Sequence, residues 1–330
     1  MFPWLFPSQN TTSRHIPGTG LFRRDIWTIG LVRQPLEDII RNGLTSAVQW
    51  YSAKPGSFLA DPYGVVLPDG TRFILAERFD YRGAGDRRGK GEIVEACLAP
   101  GMSLDETSFQ PVTNFPYHLS YPSLIFEDGD WYLFAESMEA NGIACFTSPD
   151  PAGEWRFHNL FLTGIQAVDP TLVKVEGGWY LFCTRHDDRP LSRLYLFSGK
   201  TPFGPWTPHP DNPVKDDLGA ARPAGPLFRG QDGRLYRPAQ DCRRTYGGAV
   251  IIHRVDELTP QSFRETAIRS LSPLPGPWCK GLHTICPFGE DTLIDSKAWE
   301  WSLSEPFARS RRNREAARRF KVVLSEGSGI

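Results

Sequence analysis

From Phe58 onward the chain repeats one pattern of apolar and polar positions. A short apolar run leads into a tight turn, and a second run rich in Tyr, Leu and Phe follows. The copies are FLADPYGVVLPDGTRFILAE from Phe58, LSYPSLIFEDGDWYLFAES from Leu119, AVDPTLVKVEGGWYLFCTR from Ala167, ARPAGPLFRGQDGRLYRPAQD from Ala221, and a weaker LHTICPFGEDTLIDSK from Leu282. Asp69-Gly70, Asp128-Gly129, Gly177-Gly178 and Asp232-Gly233 supply the positive-φ residues that two-residue hairpins need. Pro62, Pro122, Pro170 and Pro223 fall 60, 48 and 53 residues apart. A four-stranded repeat takes ~40–50 residues before loop insertions. Third strands are readable after four of the hairpins, as GEIVEACLA, GIACFTS, RLYLFSG and GAVIIHRV. The pattern predicts an all-β chain folded as a five-bladed β-propeller.

The propeller is expected over residues 27–301, after a flexible segment 1–26. The run WTIGLV at 27–32 is read as the outer strand of the last blade, which closes the ring and removes its sheet edge. Helical periodicity is confined to Pro35–Asn42 and to the stretch from Glu305 to Leu324. The tail 302–330 carries Arg309, Arg311, Arg312, Arg314, Arg318 and Arg319. Such a basic helix can make weak contact with an anionic membrane surface, and a solvated terminus is the plainer alternative.

A net charge of −1 over 330 residues argues against nucleic acid as a partner. None of the six cysteines forms a C-x-x-C pair, and Cys97, Cys145 and Cys183 lie in apolar strand-like runs as small hydrophobes. Neither a disulfide framework, a metal site nor a cofactor is expected, and a cytoplasmic location follows from the cysteine usage. No apolar run approaches the ~20 residues of a membrane span. The N-terminus MFPWLFPSQNTTSRH does not read as a signal peptide.

The strings FLADPYG, LSYPSL, GPW-x-PH-x-x-NP at Gly204–Pro213 and GRLYRPAQDCRRTYGGAV at Gly233–Val250 resemble a known family. It is the propeller domain at the N-terminus of plant glucosamine inositolphosphorylceramide transferases, with its stand-alone bacterial relatives. The resemblance runs from about Trp27 to Trp299. It implies a role in glycan or glycolipid assembly, alongside a separate glycosyltransferase, since the plant proteins assign transfer to a further C-terminal domain. More distantly the chain resembles five-bladed glycosidases of the arabinanase and invertase type. That resemblance implies acidic residues at Asp61 and Asp169. It also implies a Glu in blade four, where this chain has Ala221-Arg222-Pro223.

Starts of inner strands converge on one face of a propeller. That rule gathers Asp61, the segment His118–Tyr121, Asp169, Arg222 and His283 around one opening, with Glu77, Glu136, Arg185 and Asp241 at the ends of the second strands. Glycoside chemistry needs two carboxyl groups, one of them protonated near neutral pH. Asp61, Asp169 and Glu136 are the candidate catalytic residues, with Asp61 as base or nucleophile and Glu136 or Asp241 as the displaced acid. His118, Tyr121, Arg185, Arg222, Asp241 and His283 are the candidate substrate contacts. Arg222, with Arg185, Arg237 and His283 nearby, suggests an anionic ligand such as a uronic acid, a sugar phosphate or a nucleotide sugar. Each residue also has a structural alternative: Asp-Pro as a turn, Glu136 paired with Arg185, His283 as a core histidine, Gln240-Asp241 knitting blades. Tyr117, Tyr121 and Trp179 can stack on a sugar or simply pack. The loop FDYRGAGDRRGKG, from Phe79 to Gly91, lacks P-loop spacing; phosphate contact is its minority reading.

Three readings remain open. They are a carbohydrate-active enzyme, either transferring or hydrolysing; a glycan-binding accessory; and a pure interaction scaffold.

Overall fold

Each of the repeated turns folds as a hairpin, but Asp69-Gly70 and Asp232-Gly233 lie in longer loops, between Val66 and Arg72 and between Arg229 and Leu235, where only the glycine has positive φ. Asp128 and Gly129 both have positive φ (53° and 91°), and Glu127 pairs with Asp130 across them. In the third copy the turn is Glu176-Gly177, one residue earlier than the sequence suggests, and Gly178 already opens the second strand opposite Val175. The computed structural model describes residues 22–52, 54, 56–81, 89–99, 102–303, 305–311 and 314. The phosphate-contact reading of the loop falls on residues 82–88, outside the described residues, as do the segment 1–21 and the tail arginines Arg318 and Arg319.

The hairpins build five antiparallel sheets, the blades of a five-bladed β-propeller. Blade one runs through Ser57–Val66, Arg72–Asp80, Gly91–Leu98 and Gln110–Pro111, from axis to rim. Blade two uses Ser120–Glu127, Asp130–Ser137, Gly142–Ser148 and Arg156–Phe161. Blade three uses Ala167–Val175, Gly178–Arg185 and Arg193–Gly199, whose outer edge pairs with both Thr207–Pro208 and Lys215–Asp216. Blade four has a short inner strand, Phe228–Arg229, then Leu235–Asp241, Ala249–Leu258 and Phe263–Leu271.

Blade five joins the two ends of the propeller. Its inner strands are Ile285–Phe288 and Asp291–Trp301, followed by Arg23–Val32 and then Val48–Trp50 at the rim. The N-terminal strand therefore closes the ring from the third position, not the outer one, and begins at Arg23. It pairs without a break from Arg23↔Trp301 to Val32↔Thr292. The outer place goes to Val48–Trp50, which returns after the short helix Leu36–Asn42. That helix matches the sequence expectation, and residues 305–311 of the C-terminal stretch are also helical.

The core is a set of apolar wedges between neighbouring blades, because each sheet buries both faces. Ile29, Leu31, Leu59, Ile74 and Val94 fill the wedge between blades five and one. Phe73, Leu75, Leu133 and Phe146 fill the next, between blades one and two. Phe134, Leu181, Cys183 and Phe197 join blades two and three. Cys145 and Cys183 are buried as expected, whereas Cys97 is exposed, since strand alternation turns Ala96 and Leu98 inward instead.

Candidate active site in the propeller funnel

Three of the inner strands carry the same defect. The register slips between Ala60 and Tyr63, between Ser120 and Ser123, and between Val168 and Thr171. The residue before the proline, Asp61, Tyr121 or Asp169, takes a left-handed conformation with φ of 52°, 48° and 50°. A bulge of this kind re-aims a side chain, and each non-glycine αL residue costs on the order of 1 kcal/mol. Asp61 and Asp169 are both buried.

Opposite each bulge stands one residue of the second strand. Glu77 pairs with Ala60, Glu136 with Ser120, and Thr184 with Val168. In blades four and five the same position falls on Gln240, whose N–H donates to the Arg222 carbonyl, and on Asp295, whose N–H donates to that of Thr284. All five are buried. These groups stitch adjacent blades: Glu136 Oε2 accepts the Asp169 N–H at 2.8 Å, and Asp295 Oδ2 accepts the Asp61 N–H at 3.0 Å.

Two ion-paired arms flank this ring. Arg222 holds Asp169 with both prongs, Nε to Oδ2 at 2.6 Å and Nη2 to Oδ1 at 3.3 Å, while Gln240 Nε2 donates to Oδ2 at 3.0 Å. On the other side His283 lies between two carboxylates, Nδ1 2.6 Å from Asp295 Oδ2 and Nε2 3.5 Å from Asp61 Oδ1. The Thr284 hydroxyl donates to Asp61 Oδ1 at 3.0 Å. Trp27 stacks on His283 with ring centroids 3.8 Å apart. Tyr246 meets both rings edge-on and lies over the Arg222 guanidinium at 4.9 Å. Gly247, at φ 56°, permits this close approach, since a Cβ there would stand 2.6 Å from His283 Cβ and 2.8 Å from Trp27.

Crowding so many carboxyl groups out of water raises their proton affinity. Burial pushes Asp61 up to about 6, with Asp169 and Asp295 adding to the rise, while His283 and the Thr284 hydroxyl oppose it. Burial and the Asp169 charge push Glu136 up to about 8, against the pull of Arg222 and the Asp169 N–H. Glu77 is raised well above the usual carboxylate range by burial, then by Asp61 and Glu136. For His283, burial alone favours the neutral ring, and the carboxylates of Asp295 and Asp61 override it to raise the value. Asp61 is thus raised less than Glu136 and Glu77, and such unequal carboxyl groups are what acid–base chemistry uses.

The same shifts predict a stability signature. Between its ordinary value and about 8, Glu136 binds more protons in the folded than in the unfolded chain, so its contribution to stability falls as pH rises through that window. Glu136→Gln removes that loss. Relative to the parent, its melting temperature is expected to climb by several degrees between pH 5 and pH 9 in parallel calorimetric scans. A difference that stays flat with pH would place the Glu136 ionisation in water.

Several expected contacts lie elsewhere. Arg185 pairs with Asp187 at 2.7 Å and Asp241 with Arg243 at 2.7 Å, one residue beyond Thr184 and Gln240 on their strands. That one-residue step turns them away from the ring. Arg237 is fully buried on Glu265 in blade four and does not reach the funnel. Tyr121 closes the channel below the carboxylates, where its hydroxyl accepts the Gly225 N–H at 2.6 Å and meets Thr171 Oγ1 at 3.0 Å. A cavity of about 30 Å³ beside it is lined by Asp61, Tyr63, Leu124 and Thr284, room for a water or two. His118 accepts the Gly91 N–H and stands 3.6 Å from Glu77. Trp179 is buried at the opposite end of its strand under Lys174. Sequence reasoning missed Asp295, Tyr246 and Trp27. Asp295 was recoverable, because ILAE, LFAE and TLID align the repeats on it.

Asp61, His283 and Asp295 also bring three potential metal-ligand atoms within 4.8 Å of one another. Here Asp295 already accepts the backbone N–H groups of Asp61, His283 and Thr284.

Residues 40–273 match the family model described as glucosamine inositolphosphorylceramide transferase 1, N-terminal. The chain belongs to this family. Four blades, with Asp61, Glu77, Glu136, Asp169, Arg222 and Tyr246, fall inside the matched stretch of this transferase N-terminal family; Trp27, His283 and Asp295 lie outside it. Glucosamine inositolphosphorylceramide transferase 1 from Oryza sativa subsp. japonica is 29% identical over 236 residues, 68% of this chain and 30% of that protein. The Arabidopsis thaliana protein of the same name is 28% identical over 233 residues, again 68% of this chain and 29% of its own length. The chain therefore matches less than a third of these relatives. Among solved structures, an α-L-arabinofuranosidase from Podospora anserina in complex with cellotriose superposes with a TM-score of 0.53 at 14% identity, covering 70% of this chain and 78% of its own. That likeness concerns the fold.

Proposed function

We propose that this is a carbohydrate-active propeller that binds a sugar above the funnel bulges and acts on its glycosidic bond. One observation carries the reading: buried carboxyls from blades one, two, three and five meet at one opening and are stitched across the blades, and burial raises Glu136 further than Asp61. In this scheme Asp61 draws a proton from the attacking hydroxyl, or attacks directly, and Glu136 gives its proton to the leaving oxygen. Asp169, clamped by Arg222, orients substrate hydroxyls, and Tyr246 offers an aromatic edge at the mouth. An anionic sugar or nucleotide sugar would compete with Asp169 for the Arg222 fork. A neutral sugar reaching Asp61 and Glu136 through its hydroxyls makes the smaller demand on this pairing.

A second reading is a glycan-binding accessory working beside a separate glycosyltransferase. It is favoured by the match to a family model described as the N-terminal part of a transferase. No helix among the described residues is long and apolar enough to cross a membrane.

The test is a pH profile of kcat/KM on a panel of oligosaccharides, nitrophenyl glycosides and nucleotide sugars. A bell with limbs near pH 6 and pH 8 is expected for the substrate that turns over. Glu136→Gln should remove the alkaline limb and slow oligosaccharides far more than nitrophenyl glycosides, whose leaving group needs little protonation. Oligosaccharide binding without turnover of any panel member would overturn the enzymatic reading and leave the accessory one.

A further inference from the structure

Blade five is built taller than its neighbours. The second strands of blades two, three and four end one residue past the ring positions Glu136, Thr184 and Gln240, and that of blade one ends three past Glu77. In blade five the strand continues six residues past Asp295, to Trp301, paired all the way with Arg23–Ile29. At ~3.3 Å per residue the ribbon rises roughly 20 Å beyond the carboxylate ring, on the funnel face.

The ribbon and the segment after it carry large apolar side chains into solvent. Trp299 is 39% exposed, Trp301 61%, Leu303 86% and Phe307 79%. The helical residues 305–311 dock back onto the ribbon, where the Arg309 guanidinium donates to the Arg23 carbonyl at 2.8 Å. Its inner face is Glu305 and Arg309, so Phe307 and Arg311 share the outer stripe, with Arg314 a further turn on. Cations frame the aromatics: the Arg23 guanidinium lies 3.9 Å over Trp299, and Lys280 Nζ 5.0 Å from the same ring. The nearby acids are engaged, Glu300 with Arg24 and buried Glu305 with Arg309.

Single exposed apolar residues are ordinary, but a run of Trp, Leu and Phe with Arg and Lys stacked on it has the chemistry of a membrane interface. Aromatic rings settle at headgroup depth, and guanidinium and ammonium groups meet lipid phosphates and anionic headgroups. We propose that the blade-five ribbon and the 305–311 helix dock the protein on an anionic lipid surface, with the funnel mouth facing the bilayer. This proposal does not depend on the chemistry inside the funnel.

The experiment is co-sedimentation of the full chain with vesicles of phosphatidylcholine containing 30% phosphatidylserine, set against phosphatidylcholine alone. Binding to the anionic vesicles is expected, at least ten-fold stronger than to the neutral ones, and weakened by 0.5 M salt. Trp301→Ala with Phe307→Ala should lower the anionic partition at least ten-fold, and Arg311→Glu with Arg314→Glu should do likewise. All four residues are exposed, so the melting temperature serves as the control for folding. Failure to partition onto anionic vesicles would overturn the proposal. So would a dimer in sedimentation velocity that the Trp301→Ala, Phe307→Ala pair converts to monomer, which would assign the surface to a second copy of the chain.

Discussion

Asp61→Asn is expected to lower turnover by ~10²–10⁴-fold with little change in melting temperature. Asparagine keeps the Oδ1 that accepts the Thr284 hydroxyl at 3.0 Å, and the backbone N–H still reaches Asp295. The αL bulge tolerates Asn as readily as Asp. What disappears is the ionisable group. His283 keeps its closer partner, Asp295 at 2.6 Å, so no buried cation is stranded. The measurement is kcat/KM beside a thermal melt. A variant that melts far lower yet turns over normally would reassign Asp61 to blade closure.

Arg222→Ala is expected to cost about 3–5 kcal/mol, because it leaves the Asp169 carboxylate buried without its partner. Asp169 would still accept from Gln240 Nε2, which offsets part of the loss. The double variant Arg222→Ala, Asp169→Asn should recover at least half of the lost stability, because a neutral amide asks far less of its surroundings. Chemical denaturation of the four chains closes the cycle. Simple additivity would mean that the two groups are not coupled in solution.

Much of the architecture was readable along the chain, and particular residues show why. Hairpin turns such as Asp128-Gly129 need positive φ, which only a few residue types supply, so four of the five repeats announce themselves and the weaker fifth follows by alignment. Asp61 and Asp169 precede proline in matching positions, and the structure puts both in the same bulge. The placement of the closing strand was read one position too far out. Whether Arg23–Val32 lies third or fourth depends on Val48–Trp50, a three-residue strand with no signal of its own. Along the second strands Arg185 and Asp241 lie one residue past the ring positions Thr184 and Gln240. With period two, that single step exchanges one face of a strand for the other. A charged side chain attracts notice in a sequence; the threonine and glutamine that occupy the ring do not.

The sequence by itself determined the repeat, the blade count and the two Asp-Pro corners, because these follow from local backbone preference and alternation. Only the tertiary structure decided the site's electrical character. Whether Arg222 meets a ligand or Asp169, and whether His283 meets Asp61, depends on groups 53 and 222 residues apart meeting at the axis. Protonation follows from the same encounter, since burial and neighbouring charge exist only once the ring has closed.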